Sequence, residues 1–182
     1  MSDDPLYIKY HDEEWGVPLY DEQWLFEFLI LETFQAGLSW ITVLRKRDNF
    51  RAAFEHFDVK KVAAFDDEKV ASLMEDAGII RNGAKIRAAV SNAQAFIQIQ
   101  NKFGSFSKYI WGFVDEKPIQ NSLQSLKDIP ANTELAEVIS KDLKKRGFKF
   151  VGPTVIYAHM QATGMVNDHV VDCFRYKEVQ TL

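Results

Sequence analysis

Cysteine is almost absent. Cys173 is the single one in 182 residues, so no disulfide can form within the chain, and a reducing compartment is the expected setting. No apolar run approaches the ~18 residues that a membrane span needs. The opening MSDDPLYIKY is acidic and carries no apolar signal-peptide core. These absences predict a soluble, cytoplasmic protein with no membrane partner. Internal repeats, low-complexity tracts and any convincing pair of strands are also missing. Positive charge is not in surplus either: the formal net charge is −4, which at first sight argues against a nucleic-acid partner. Apolar residues, by contrast, make up 47% of the chain, too many for disorder, and the length suits one domain or two small lobes sharing a core.

Net charge is a sum over the whole surface, whereas a partner meets a patch. Two runs are locally basic: Arg45-Lys46-Arg47, and Lys144-Lys145-Arg146 with Lys149. Each reads either as a solvated helix end beside the negative pole of the dipole or as a phosphate-facing patch.

Hydrophobic periodicity predicts an all-α chain. A helix runs from an N-cap at Asp21 to a stop at Gly37, and a second pattern follows Ser39 as far as Phe57. Val59–Phe65 and Asp67–Glu75 form two short helices. Lys85–Lys102 repeats its apolar residues at three and four, and Ser105–Phe113 is shorter. Residues 114–132, bracketed by Pro118 and Pro130, read as a surface excursion. Helix resumes over Glu134–Lys145.

Two local features carry chemistry. In KKRGFKFVGPTVIYAHMQATG (Lys144–Gly164) one helix ends at Gly147 and the next opens at Gly152-Pro153. Such a turn presents backbone N–H groups at a helix N-terminus, where a phosphate can sit. It resembles the helix-hairpin-helix motif of DNA repair proteins, although only the second glycine of that pattern is well matched; an ordinary helix–helix corner is the other reading. The second feature is a cluster of Tyr7, Tyr10, Trp15, Phe34 and Trp40 around Glu32. Most aromatics are core, but a carboxylate on a helix whose neighbours are Phe28, Leu29 and Leu31 needs a partner or a task.

The strings DPLYIKYHDEEWGVP (Asp4–Pro18), LETFQAGLSWITVLRKR (Leu31–Arg47), DAGIIRN (Asp76–Asn82), LKKRGFKFVGPT (Leu143–Thr154) and MQATGMVNDHVVDC (Met160–Cys173) resemble, in order and spacing, the DNA-3-methyladenine glycosylase I family. The resemblance covers nearly the whole chain. It implies a helix-hairpin-helix glycosylase-like fold, in one domain over residues 1–182, with the hairpin at about 134–164. The implied activity is monofunctional hydrolysis of the N-glycosidic bond of 3-methyladenine in double-stranded alkylated DNA, by a monomer that uses no organic cofactor. Flipping the nucleotide into a pocket of electron-rich rings with one carboxylate favours a cationic base over neutral adenine. The resemblance assigns the base-reading, catalytic carboxylate to Glu32 and the base-binding aromatics to Tyr10, Trp40 and Tyr7. It assigns Gln35 to Leu38, with Gly37, to a loop filling the gap left by the flipped base, with Leu38 as the wedge. Lys145, Gly147, Lys149 and Gly152 would meet the DNA backbone.

Two departures accompany the resemblance. Where the wider superfamily has a catalytic aspartate, this chain has Asn167, in Val166-Asn167-Asp168-His169, as the glycosylase I family itself does. The family also holds a structural zinc on two histidines and two cysteines. His11, His169 and Cys173 match three of them, the last two with an i, i+4 spacing expected to place both on one helical face. The fourth, a cysteine ahead of Asp-Pro-Leu-Tyr, is missing, which implies recruitment of water or of Asp3 or Asp4. An inactive helix-hairpin-helix DNA-binding module, or a generic helical interaction domain, is the alternative to an enzyme.

Overall fold

The computed structural model describes residues 3–35 and 37–182. Helix α1 (Pro5–Glu13) starts where Asp4 caps it, the carboxylate accepting from the Leu6 N–H at 2.9 Å, with Pro5 in the first turn. Helix α2 (Glu22–Gln35) is capped by Asp21, which accepts from the Trp24 N–H at 3.0 Å. Every residue from Leu25 to Phe34 is buried. A helix that is covered on all sides sits at the centre of its fold, and α2 is the post around which the others pack.

Helix α3 (Trp40–Ala53) ends four residues before the periodic pattern does. Glu55, His56 and Phe57 form a 3-10 turn at φ 52°, 53° and 58°. This left-handed bend sends Phe57 back onto Phe54, the rings 5.8 Å apart and 8° from parallel, so burial of two phenylalanines overrides continuation of the helix. Then come α4 (Val59–Ala63), α5 (Asp67–Glu75, capped by Asp66), α6 (Gly83–Phe103) and α7 (Phe106–Trp111, capped by Ser105). Between α2, α6 and α7, Phe26 meets Phe96 edge-to-face at 5.3 Å and Phe96 stacks on Phe106 at 4.1 Å.

The excursion after α7 contains β1 (Ile119–Gln120), paired in parallel with β2 (Val166–Asn167). Two residues per strand leave no period-two signature, which is why the pairing is invisible in the sequence. Its effect is to lay residues 119–129 against the C-terminal segment, so the excursion becomes part of a cavity wall.

Helices α8 (Glu134–Lys145) and α9 (Pro153–Ala162) form the hairpin, and α10 (Phe174–Glu178) closes the chain. Gly147, at φ 96°, ends α8: its N–H reaches the Lys144 carbonyl at 3.0 Å, and the Phe148 N–H reaches that of Leu143 at 3.1 Å. This is a complete Schellman ending with Phe148 and Leu143 both buried. The turn is clamped from α6 by fully buried Asn92, which donates to the Lys149 carbonyl at 3.0 Å and accepts its N–H at 2.8 Å. From within α8, Ser140 donates to the Val151 carbonyl at 2.6 Å.

The side chains of the first basic run are engaged within the protein. Arg45 pairs with Asp4, and the Lys46 ammonium donates to the carbonyls of Ala77 and Gly78. Arg47 is buried, donating at 2.6 Å to both Glu27 and Glu14, with its guanidinium 4.9 Å from the Phe28 ring. Arg51 shares Glu27. Removing Arg47 leaves Glu14 without its partner and buried Glu27 with Arg51 alone, so Arg47→Met is expected to cost about 3 kcal/mol. Urea unfolding reads this directly, and a loss under about 1 kcal/mol would contradict it.

Candidate active site and nucleic-acid face

A cavity of about 520 Å³ opens where α1, the end of α2, the start of α3 and the C-terminal segment meet. Tyr7, Tyr10, Glu32 and Trp40 all line it. Tyr7 and Tyr10 lie one turn apart on α1 and so share a face. Tyr10 is buried, with its ring 5.5 Å from Trp40 and 6.3 Å from Phe28. Burial first, and the Glu32 charge second, hold the Tyr10 phenol proton far more tightly than usual.

Glu32 is 4% exposed, and burial alone lifts its carboxyl to a pKa of about 8. No donor among the described residues reaches it, and its place in the last turn of α2 sets it near the negative end of the dipole. Such a carboxyl is easy to discharge and gains most from a cation placed beside it. The Trp40 indole N–H is buried and also without an acceptor among the described residues. Of the other aromatics, Phe34 packs on Phe50 in the core, while Trp15 stands edge-on to His169 at 4.7 Å.

Gln35 ends α2 at the cavity mouth. Its amide donates to the Leu38 carbonyl at 2.9 Å, and the Leu38 N–H returns to the Gln35 carbonyl at 2.7 Å. Gly37 sits at φ 82°, and Leu38 stands 40% exposed. Ala36, within the same loop, lies outside the described residues. The tight turn holds an apolar side chain outward beside a cavity.

His11, His169 and Cys173 come together, their ligand atoms all within 4.8 Å of one another. The expected helical face is not how this happens. Residues 168–170 are irregular, residues 170–173 form a turn, and Cys173 is the N-cap of α10. The turn closes through a 2.8 Å bond from the Cys173 N–H to the Val170 carbonyl, bringing the two side chains as near as a helix would. Cys173 Sγ is 3.6 Å from both His11 Nε2 and His169 Nδ1. Tetrahedral zinc, with Zn–N of ~2.0–2.1 Å and Zn–S of ~2.3 Å, separates N and S by about 3.5 Å. The far nitrogen of each ring is engaged as well: His11 Nδ1 with Asp12 at 2.7 Å, and His169 Nε2 with the Trp15 carbonyl at 3.0 Å. That leaves a lone pair on each ring facing the sulfur, the outer-shell arrangement of zinc histidines. Gly16 permits it, since a Cβ there would lie 2.9 Å from His169 Nε2. Burial lowers the His169 pKa to about 4, so its ring is neutral.

The donor set therefore fits zinc with three protein ligands. No fourth His, Cys, Asp or Glu joins it among the described residues. Asp4, expected as a recruit, is instead the α1 cap and the partner of Arg45; Asp3 is not in the group either.

The sequence alone does not reveal the roles of three polar residues in this region. Asn167 is not among the residues that line this cavity; its amide braces Gln120 at 2.8 Å and the Tyr176 carbonyl at 3.0 Å. The next residue, Asp168, does line the cavity, buried and held by Asn121, Tyr157 and Gln161. Gln161 lines it too. The only hint in the sequence is a carboxylate one step beyond Asn167.

On the hairpin, Lys145, Gly147 and Lys149 are exposed and Gly152 is half-buried. Arg146 turns away, pairing with Asp142 at 2.7 Å and lying over the Phe103 ring at 4.8 Å, so three of the four expected cations remain for a partner. Gly152 has an ordinary φ of −63°, and a Cβ there would meet nothing within 4 Å.

Residues 1–176 match the methyladenine glycosylase family. The chain is 53% identical to DNA-3-methyladenine glycosylase 1 of Escherichia coli K12, over 97% of its own length and 94% of that protein's. It superposes with a TM-score of 0.93 on a crystal structure of a 3-methyladenine DNA glycosylase I, 51% identical, covering 95% of each chain. A Staphylococcus aureus glycosylase, studied for its recognition of 3-methyladenine, is 39% identical with the same TM-score, covering 95% of this chain and 92% of its own.

Proposed function

The chain belongs to the methyladenine glycosylase family, and on that premise we propose that it removes 3-methyladenine from alkylated double-stranded DNA by hydrolysing the N-glycosidic bond. The observation that carries this reading is Glu32: a buried carboxyl with no partner among the described residues, in a cavity walled by Tyr10 and Trp40. Methylation at N3 places positive charge on the base, which an electron-rich ring and a carboxylate both stabilise. Neutral adenine gains far less from either. As the bond breaks, its electron pair returns to the base, water adds to the sugar carbon and a proton is released. The leaving group is already activated, which is consistent with Asn167 standing where the superfamily has an aspartate.

Leu38, exposed on its turn at the cavity mouth, fills the space that the flipped nucleotide leaves. The first turn of α9 and the side chains of Lys145 and Lys149 face the phosphates. A contrast between two glycines checks that face. Gly147→Ala forces a side chain into φ 96° and is expected to cost about 1 kcal/mol of stability. Gly152→Ala leaves stability within about 0.5 kcal/mol but weakens duplex binding several-fold, because its open side is where a backbone approaches. Equal DNA affinity in Gly152→Ala and wild type would contradict the assignment.

His11, His169 and Cys173 hold a structural zinc in this reading, tying α1 to the C-terminal segment. A monomer in the cytoplasm completes the reading; among the described residues no helix is long and apolar enough to cross a membrane. The decisive experiment is release of free base from methylated duplex DNA. Free 3-methyladenine is the expected product, and tight duplex binding without released base would instead indicate a silent binding module.

A further inference from the structure

The cavity has a second polar wall opposite in character to the aromatic one. Gln161, on α9, donates its amide N–H to Asp168 Oδ2 at 2.7 Å. A carboxylate only accepts, so this bond fixes which way round the amide lies. The amide nitrogen is turned to Asp168 and the amide oxygen is left without a donor among the described residues, on a side chain that lines the cavity. Asp168 cannot swing away, since Tyr157 donates to the same oxygen at 2.6 Å and Asn121 to the other at 2.7 Å. It is 1% exposed.

We infer that Gln161 determines specificity, its Oε1 accepting from the 6-amino group of a bound adenine, and that Asp168 is the positioning residue that keeps this oxygen turned inward. Adenine carries a donor at position 6, whereas guanine carries an acceptor. An inward oxygen therefore matches methylated adenine and opposes methylated guanine, lone pair against lone pair. Glu32 and the rings select for charge, which both methylated purines carry. The Gln161–Asp168 pair selects between the purines. This inference rests on the base-excision reading of the same cavity.

Two substitutions separate the roles. Gln161→Met keeps length and volume but removes the acceptor. Asp168→Ala removes the carboxylate that holds the Gln161 amide. Gln161 is then free to turn over and present its N–H to the cavity. The measurement is release of 3-methyladenine and of 3-methylguanine from methylated duplex DNA, with binding of each free base followed by tryptophan fluorescence, Trp40 being in the cavity. Gln161→Met is expected to lower the adenine-to-guanine ratio about tenfold, the worth of one hydrogen bond. Asp168→Ala should lower it as well, because the amide is no longer held with its oxygen inward. Structural damage alone would slow both bases in proportion, and an unchanged ratio in both variants overturns the inference. If wild-type protein neither binds nor releases either base, the base-excision reading itself falls, and this inference with it.

Discussion

Glu32→Gln is expected to make the protein more stable and nearly inactive at once. The folded carboxyl titrates near pH 8 because burial penalises its charge, against an ordinary value of 4.5 in the unfolded chain. Between those two values the folded state binds a proton that the unfolded state has released, so stability falls as pH rises across that window. Below about pH 4.5 both states are protonated, and above about 8 neither is, so the penalty is flat on either side. Glutamine has the shape of the neutral acid and does not titrate. The variant should therefore melt with the wild type at pH 5 and above it at pH 8, by on the order of 4 kcal/mol or about 10 °C. Release of 3-methyladenine should fall about 10²-fold, since the charge opposing the cationic base is gone. Thermal melts from pH 5 to 9 beside base-release rates test both halves. A melting difference independent of pH, or release within threefold of wild type, would sink the account.

A protein that keeps an unpaired carboxyl in its interior accepts a cost in stability for a site that a cation fills. Much of the remaining polar interior is satisfied by the protein itself. Arg47 is met by Glu27 and Glu14, Asn92 by the Lys149 backbone, and Asp168 by three donors. Against that background Glu32 stands out by having no partner among the described residues. The same isolation makes it legible in the sequence, where a charged residue among Phe28, Leu29 and Leu31 breaks the local pattern.

Caps are legible for the same kind of local reason. Asp21, Asp66, Ser105 and Gly147 sit at helix ends and bond as their types predict. What the sequence hides is non-local. Helix α3 stops early because Phe57 has a better place against Phe54 than one more helical turn would give it. Arg47 reads as surface charge until α2 and α1 bring carboxylates to it. Gln161 and Asp168 are seven residues apart with a strand between them, and nothing in their spacing announces a bond. His169 and Cys173 are legible as a pair, but the element that joins them is not, because a closed turn and a helix both bring side chains four apart into contact.

The metal carries the other large expectation. Protein purified without chelator is expected to hold about one zinc per chain, and stripping it should lower the melting temperature by about 10 °C. A ligand bound at 100 to 1,000 times its Kd stabilises by about 3–4 kcal/mol, and for a chain of this length each kcal/mol is worth a few degrees. The geometry says where the loss falls. His11 belongs to α1 and the other two ligands to the C-terminal turn, so removing the ion disconnects two walls of one cavity. Tyr7 and Tyr10 go with the first wall, Asp168 with the second. Cys173→Ala should reproduce the apo melting curve and respond no further to chelator. Cobalt in place of zinc supplies a check independent of activity, a thiolate-to-metal absorption band that Cys173→Ala lacks. Metal content near zero, together with a melting curve indifferent to chelator, would mean that the three side chains only pack against one another.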